Sequence, residues 1–332
     1  MGQHLFWLAA GLVLLLTGGE ALVRGASALA RRFGVSPTVI GLTVVAFGTS
    51  APELAVSVMS TTTGSGGIAF GNVVGSNIAN IGLLLGVTAL MTRLVVHSDI
   101  VTREVPMMLV ASAAIVALAS DRALDGSEAD MIQRSDGVVL LLLFSIFMYY
   151  TVRSTLRARS GDSLLTEVED EAPGKVAEGS ARVALLLVGY GLLGLALGGD
   201  WLVESASAIA LDMGVPQVVI GMTIVAIGTS LPELATCVAA ARKQEADLAV
   251  GNIIGSNLFN CLFVLPIAAC VNPVPVHEGS TADLIVMLVL SVGLLPIVVT
   301  HARSITRGEG GVLLAAYVAF LAWQGFRSTG AA

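Results

Sequence analysis

Charge is scarce in this 332-residue chain. Only 12% of its residues are Asp, Glu, Lys or Arg, about half of the roughly 25% with which an ordinary globular domain solvates its surface. That shortage excludes a soluble enzyme. The 17 basic residues are outnumbered by 24 acidic ones, for a formal charge of −7, so the clustered basic excess of a nucleic-acid footprint is missing too. Cysteine is rarer still: Cys237, Cys261 and Cys270 lie in apolar stretches without the close pairing of a metal or redox motif. They form no disulfide framework. The four histidines, His4, His97, His277 and His301, stand at the ends of apolar runs or between them, which leaves no base to activate a nucleophile inside a run. We therefore expect no enzyme, no resident cofactor and no obligate protein partner.

What is present is apolar. Hydrophobic residues make up 55% of the chain, the mean hydropathy is +0.87 and glycine occurs 37 times, as it does often in transmembrane helices. A span needs about 20 mostly apolar residues. Charged or Pro/Gly-rich boundaries mark off ten such runs, 5–30, 35–60, 68–92, 101–120, 134–154, 182–210, 215–241, 247–271, 281–300 and 310–326. The first lacks a basic leader and is too long for a signal-peptide core, so it reads as a span. Counted on alternate sides, 13 of the 17 Lys and Arg residues fall on one face and three, Arg122, Arg134 and Arg327, on the other. Cytoplasmic loops collect these residues, so both termini are expected outside. The hydrophilic stretch around 160–181, with Glu167, Glu169, Asp170 and Glu171, reads as a solvated cytoplasmic linker. The expected organisation is all-α and integral to the membrane: a first five-helix repeat over 1–155, a linker over 156–181 and a second repeat over 182–332.

The chain repeats itself. GLTVVAFGTSAPEL at 41–54 matches GMTIVAIGTSLPEL at 221–234, and GNVVGSNIAN at 71–80 matches GNIIGSNLFN at 251–260, both at an offset of 180. GGE at 18–20 aligns with GGD at 198–200 in the same register. With five spans per half, an odd number, the second half starts on the opposite side of the membrane, which is the inverted repeat of secondary transporters. General apolar similarity does not explain the match, because the identities fall on Thr, Ser, Glu and Asn, which a bilayer penalises.

These polar residues suit a cation. Pro52 and Pro232 lack the N–H that a helix would supply to the carbonyls of Gly48 and Gly228, and freed carbonyls are hard oxygen ligands. Thr49 and Glu53 are four apart, as are Thr229 and Glu233, which puts a hydroxyl and a carboxylate on one helical face; Ser50 and Ser230 stand beside them. Ser76 and Asn80, with Ser256 and Asn260, add hydroxyl and amide oxygens at the same spacing. Two midplane glutamates need a partner, a proton or a cation, and no Lys or Arg lies in these stretches. Oxygen-only ligation suits Ca²⁺ and other hard cations rather than zinc or copper. Other readings stand beside this one. Ser50 to Glu53 also fits a capping box, Asn72, Asn77, Asn252 and Asn257 read equally well as interhelical hydrogen-bond glue, and Glu20 with Arg24 is best read as an i, i+4 pair. Gly71, Gly75, Gly251 and Gly255 form small-xxx-small patterns that permit close helix approach. Asp200 and Glu204 have no such explanation.

At these motifs the chain resembles the calcium/cation antiporter superfamily, which includes the sodium/calcium exchangers, in its prokaryotic form with two α-repeats. The resemblance implies that Glu53 and Glu233 are the central carboxylates, flanked by Thr49, Thr229, Ser76 and Ser256. It further implies that Ala46 and Ala226 supply carbonyls, that Asn80 and Asn260 complete the middle site, and that the first and sixth spans move to open the site alternately. Its implied activity is Ca²⁺/Na⁺ antiport in a prokaryotic plasma membrane, with Ca²⁺/H⁺ exchange as the alternative. In one respect the chain departs from that pattern: an aspartate is common at one of positions 80 and 260, and both are Asn here. The site would then hold two negative charges rather than three.

Overall fold

The computed structural model describes residues 2–124, 126–159, 180–213, 226–277 and 280–330. It is built almost wholly of helices. In chain order these are α1 (Gly2–Phe33), α2 (Pro37–Thr49), α3 (Ala51–Thr62), α4 (Gly66–Met91), α5 (Ile100–Leu118), α6 (Arg134–Arg159), α7 (Ala181–Asp212), α8 (Leu231–Arg242), α9 (Ala246–Val271), α10 (Ser280–Arg303) and α11 (Arg307–Gly330). Eight of them are long and apolar enough to cross a membrane, and α2 with α3 makes a ninth, broken span bent by 42°. The seventh expected span, 215–241, is described only from Ala226 onward, so the count of ten rests on residues 214–225, outside the described residues. The repeat segment Gly221 to Val225 and most of the linker, 160–179, also lie there.

Local chemistry sets the ends. Ser36 caps α2, its hydroxyl accepting the Val39 N–H at 3.3 Å, with Pro37 at the first helical position, where a missing N–H costs nothing. Ser180 caps α7 in the same way through the Arg182 N–H. The turns after α3 and α8 need a left-handed residue, and both copies place one at the matched position, Gly64 (φ 79°) and Gln244 (φ 59°). Glycine adopts that backbone freely, whereas Gln adopts it at a modest cost.

The repeat is visible as geometry. From α3 to α8 and from α4 to α9, both boundaries shift by 180 residues. α1 and its equivalent α7 pack along a glycine seam in which Gly11 faces Gly198, Gly18 faces Gly191 to Leu195, and Gly25 faces Ala184 and Val188. Residue numbers rise on one helix as they fall on the other, so equivalent helices run antiparallel, as inversion demands. Beyond the third span the register slips by one, and Ser112 meets Ser291 at 3.4 Å, an offset of 179. Such a self-pairing marks the pseudo-two-fold axis.

Two features place the centre. In α4 and α9, 78% and 83% of the apolar window is buried, against 17–39% in the other long helices; these two therefore form the core, and the rest face lipid. Two short antiparallel ribbons, which no sequence periodicity announces, close the ends. β1 (Leu94–Val95) pairs with β4 (Ser304–Ile305), and β2 (Met131–Ile132) pairs with β3 (Val274–Pro275). Each ribbon joins one half of the molecule to the other.

The seam makes a sharp prediction. A Cβ on Gly191 would lie 2.6 Å from the Leu22 backbone nitrogen, while one on Gly189, two residues away, would meet no described atom within 4 Å beyond its own helix. Gly191→Ala should destabilise the protein by about 1–3 kcal/mol, as overpacking does, and Gly189→Ala should leave it unchanged. Unfolding in detergent, followed by tryptophan fluorescence, would compare them.

Candidate functional site

Each half breaks a helix at a serine. Ser50 sits at φ −85°, ψ 5° and Ser230 at φ −92°, ψ 4°, in the sparsely populated bridge region, and each is followed by an X-Pro pair that starts the next helix. Glu53 and Glu233 therefore occupy the first turns of α3 and α8, where unpaired N–H groups favour negative charge. Both side chains are only 1% exposed. The spacing of Thr49 and Glu53 suggests one continuous helical face; here the break at Ser50 separates them, because Pro52 cannot continue the ladder.

The capping-box reading of Ser50 does not hold. Neither Ser50 nor Ser230 caps its helix through the side chain. The Ser50 hydroxyl instead crosses to the other half and donates to Glu233 Oε1 at 3.2 Å. Next to it, Thr49 Oγ1 donates to Asn252 Oδ1 at 3.3 Å, and the Asn252 amide turns its nitrogen to Cys237 Sγ at 3.6 Å. Asn72, the equivalent of Asn252, donates to Ser57 Oγ at 3.0 Å and to the Glu53 carbonyl at 3.2 Å.

The second motif is arranged with the same symmetry. Asn80 and Asn260 each begin a widened π-helical turn, Asn80–Leu85 and Asn260–Val264, of the kind often found at functional sites. Asn80 Nδ2 donates to Asn257 Oδ1 at 3.0 Å, and Asn260 Nδ2 donates to Asn77 Oδ1 at 3.2 Å. Asn72, Asn77, Asn252 and Asn257 thus make the interhelical bonds expected of glue. The π turn at Asn80 packs on α8, and the one at Asn260 packs on α3, so each turn lies against the helix that carries the glutamate of the opposite half.

What these bonds leave over defines the chemistry. Glu53 Oε2, Glu233 Oε2, Asn80 Oδ1, Asn260 Oδ1, Ser230 Oγ and Ser256 Oγ are all buried with no hydrogen-bond partner. A buried acceptor without a donor costs about 1–3 kcal/mol, and these six, four of them in the matched pairs Glu53/Glu233 and Asn80/Asn260, are oxygens of the kind a hard cation would satisfy. Ser76 is buried as well. Thr49 is buried whereas its equivalent Thr229 is only partly so. The Ala46 carbonyl is engaged, accepting the Ser50 N–H at 2.9 Å and the Thr49 hydroxyl at 3.4 Å, so it is not one of the donorless oxygens. Ala226 opens the short turn Ala226–Gly228, and its side chain lies outside the described residues.

Away from the centre, Glu20 bonds Arg24 at 2.6 Å, the expected i, i+4 pair, and Lys243 approaches at 3.5 Å. Arg31 reaches Glu245 at 3.6 Å, so α1 is tethered twice to the turn after α8. Asp200 and Glu204 lie exposed on α7. A Cβ on Gly251 would lie 2.6 Å from the Thr38 carbonyl oxygen and one on Gly255 2.8 Å from the Leu42 Cα and the Ala46 Cβ, whereas one on Gly71 or Gly75 would meet no described atom within 4 Å. The equivalents of Thr38 and Leu42 are positions 218 and 222, outside the described residues.

A family model described as sodium/calcium exchanger protein matches residues 3–153 and 183–326. The chain belongs to the sodium/calcium exchanger family. It is accordingly a multi-pass helical membrane protein of an ion-antiporter family. The exchanger is 38% identical to the inner membrane protein YrbG of Escherichia coli over 318 residues, covering 95% of this chain and 94% of that one. It is 36% identical to the sodium/calcium exchanger MaX1 of Methanosarcina acetivorans, covering 94% and 95%. Solved structures of the sodium-calcium exchanger NCX_Mj superpose with a TM-score of 0.81 at 31% identity, covering 96% of this chain and 98% of that one.

Sequence reasoning missed the sulfur atoms behind the amides. Asn77 Nδ2 donates to Cys261 Sγ at 2.7 Å and to Met287 Sδ at 3.7 Å, and Asn257 Nδ2 to Met108 Sδ at 3.4 Å. Met108 and Met287 are themselves equivalents, but at an offset of 179, so a search in the register of 180 passes over them.

The two serines give a test of the asymmetry. Ser50→Ala would remove the donor of Glu233 Oε1 and should lower cation-free stability by about 1.5–3 kcal/mol, the range for hydrogen bonds to charged groups. Ser230→Ala, whose hydroxyl has no partner, should cost less than about 0.5 kcal/mol. Unfolding in detergent without Na⁺ or Ca²⁺ would measure both.

Proposed function

We propose that this exchanger moves Ca²⁺ against Na⁺ by alternating access, with both ions using the centre between Glu53 and Glu233. The observation that carries this reading is the set of six buried oxygens without partners, among them one oxygen of each glutamate at the matched helix breaks and the side-chain oxygens of both Asn80 and Asn260. Thr49, Thr229, Ser50, Ser230, Ser76, Ser256, Asn80 and Asn260 complete the oxygen set, with the carbonyls of Ala46 and Ala226 joining when the local helix opens. The name of MaX1 as a sodium/calcium exchanger supports the choice of ions. The organisation that goes with it is two inverted five-helix repeats, 1–155 and 182–332, around a cytoplasmic linker at 156–181, with both termini outside a prokaryotic plasma membrane. α1 and α7 pack mainly on each other through their glycine seam. Such a smooth contact suits a pair that slides as a unit across the centre.

Charge sets the stoichiometry of this proposal. With Asn at both 80 and 260, two carboxylates balance one Ca²⁺ or two Na⁺. Exchange is then electroneutral. Purified protein in proteoliposomes should accumulate labelled Ca²⁺ under an outward Na⁺ gradient and generate no current; a robust voltage-dependent current would overturn the two-for-one version. A proton gradient that drives uptake where Na⁺ does not would assign the Ca²⁺/H⁺ alternative. Glu53→Gln and Glu233→Gln should each lower uptake by at least about tenfold, since a charged ligand is worth more than 1.4 kcal/mol; wild-type uptake in both would remove the centre from this role.

A further inference from the structure

The amide end that Asn80 and Asn260 present to the centre is not decided by the amides themselves. Oxygen and nitrogen ends of Asn are nearly the same shape, one accepting and the other donating, so neighbours choose the orientation. Presented to a cation, the oxygen is a ligand and the NH₂ group is repulsive. Two relays make the choice here. Met108 Sδ receives Asn257 Nδ2, Asn257 Oδ1 receives Asn80 Nδ2, and Asn80 Oδ1 is left without a donor. In the other half Met287 Sδ and Cys261 Sγ receive Asn77 Nδ2, Asn77 Oδ1 receives Asn260 Nδ2, and Asn260 Oδ1 is left without a donor. Met108, Met287, Cys261, Asn77 and Asn257 are all at most 1% exposed, so no water competes.

We propose that Met108 and Met287, with Cys261, are positioning residues that set the polarity of two amide relays and so turn the oxygens of Asn80 and Asn260 toward the transported cation. A thioether carries no hydrogen. It can face only the NH₂ end of its neighbour, and that single restriction passes through two amides to the far oxygen. The relays differ in one respect: Asn257 rests on one sulfur and Asn77 on two. The proposal rests on the reading of Asn80 and Asn260 as cation ligands, and the test separates the two.

The test is labelled Ca²⁺ uptake by the full-length protein in proteoliposomes under a Na⁺ gradient, with cation-free unfolding measured in parallel. Met108→Leu keeps the volume and removes the acceptor. It should raise half-saturating Ca²⁺ about fivefold, the worth of one net neutral hydrogen bond, with maximal rate and cation-free unfolding unchanged. Met287→Leu should change it less than about twofold, because Cys261 remains to accept, and Met287→Leu with Cys261→Ala should match Met108→Leu. Equal effects of Met108→Leu and Met287→Leu, or an affinity loss that only follows a lowered unfolding temperature, would overturn the relay. If Met108→Leu does not fold, the contrast between Met287→Leu and its double variant decides the question on the other relay. Glu53→Gln serves as the control. If it abolishes uptake while the methionine variants behave as wild type, the relay alone fails; if it leaves uptake intact, the cation centre fails with it.

Discussion

Two carboxylates buried in an apolar bundle, with no cationic side chain paired to them among the described residues, are the constraint on which the rest of this molecule depends. Carboxylates at membrane depth are costly unless paired, protonated or ligating, and Glu53 and Glu233 are both almost completely enclosed. Their surroundings are organised around that cost. Each lies in the first turn of a restarted helix, one receives a hydroxyl from the opposite half, and the Oε2 of each lacks a partner, as do the side-chain oxygens of Asn80, Asn260, Ser230 and Ser256. Such a centre is incomplete without positive charge, which the cation proposed above would supply.

Much of this was legible in the chain itself. The helical membrane fold followed from hydropathy, and the two halves followed from polar identities at a constant offset. Pro52 and Pro232 announced the breaks because a missing N–H acts locally. Other features have no local signature. A two-residue ribbon has no period to detect, a π turn differs from an α turn by one hydrogen bond, and the partner of Ser50 lies 183 positions away. The capping box was a fair local reading of Ser50 that tertiary contact overrode. The methionines stayed hidden for a simpler reason: one residue is lost between the third and fourth spans of the second half, and the register of comparison moves with it.

Near-symmetry with deliberate exceptions is the other theme. Matched positions carry Gly64 and Gln244, Ser57 and Cys237, Glu20 and Asp200. In each case the backbone role survives while the side chain changes. The changes fall unevenly. Glu20 finds Arg24 and Lys243, whereas the equivalents of those two cations are Glu204 and Thr63. α1 is therefore held by ion pairs that the residues at the matched positions of the second half cannot make. An inverted repeat makes the two halves alike in shape, and side-chain differences of this kind make them unlike in energy.

The terminal ribbons have a consequence for how force travels through the molecule. β1 follows α4 and is stitched to β4, which precedes α11; β3 follows α9 and is stitched to β2, which precedes α6. Four helices are thereby riveted into one chassis across the two halves, with the buried oxygens at its middle. α1 and α7 carry no rivet of this kind and bear on each other through bare backbone. The division cuts across the sequence repeats: the riveted set draws on both halves, and so does the unriveted pair.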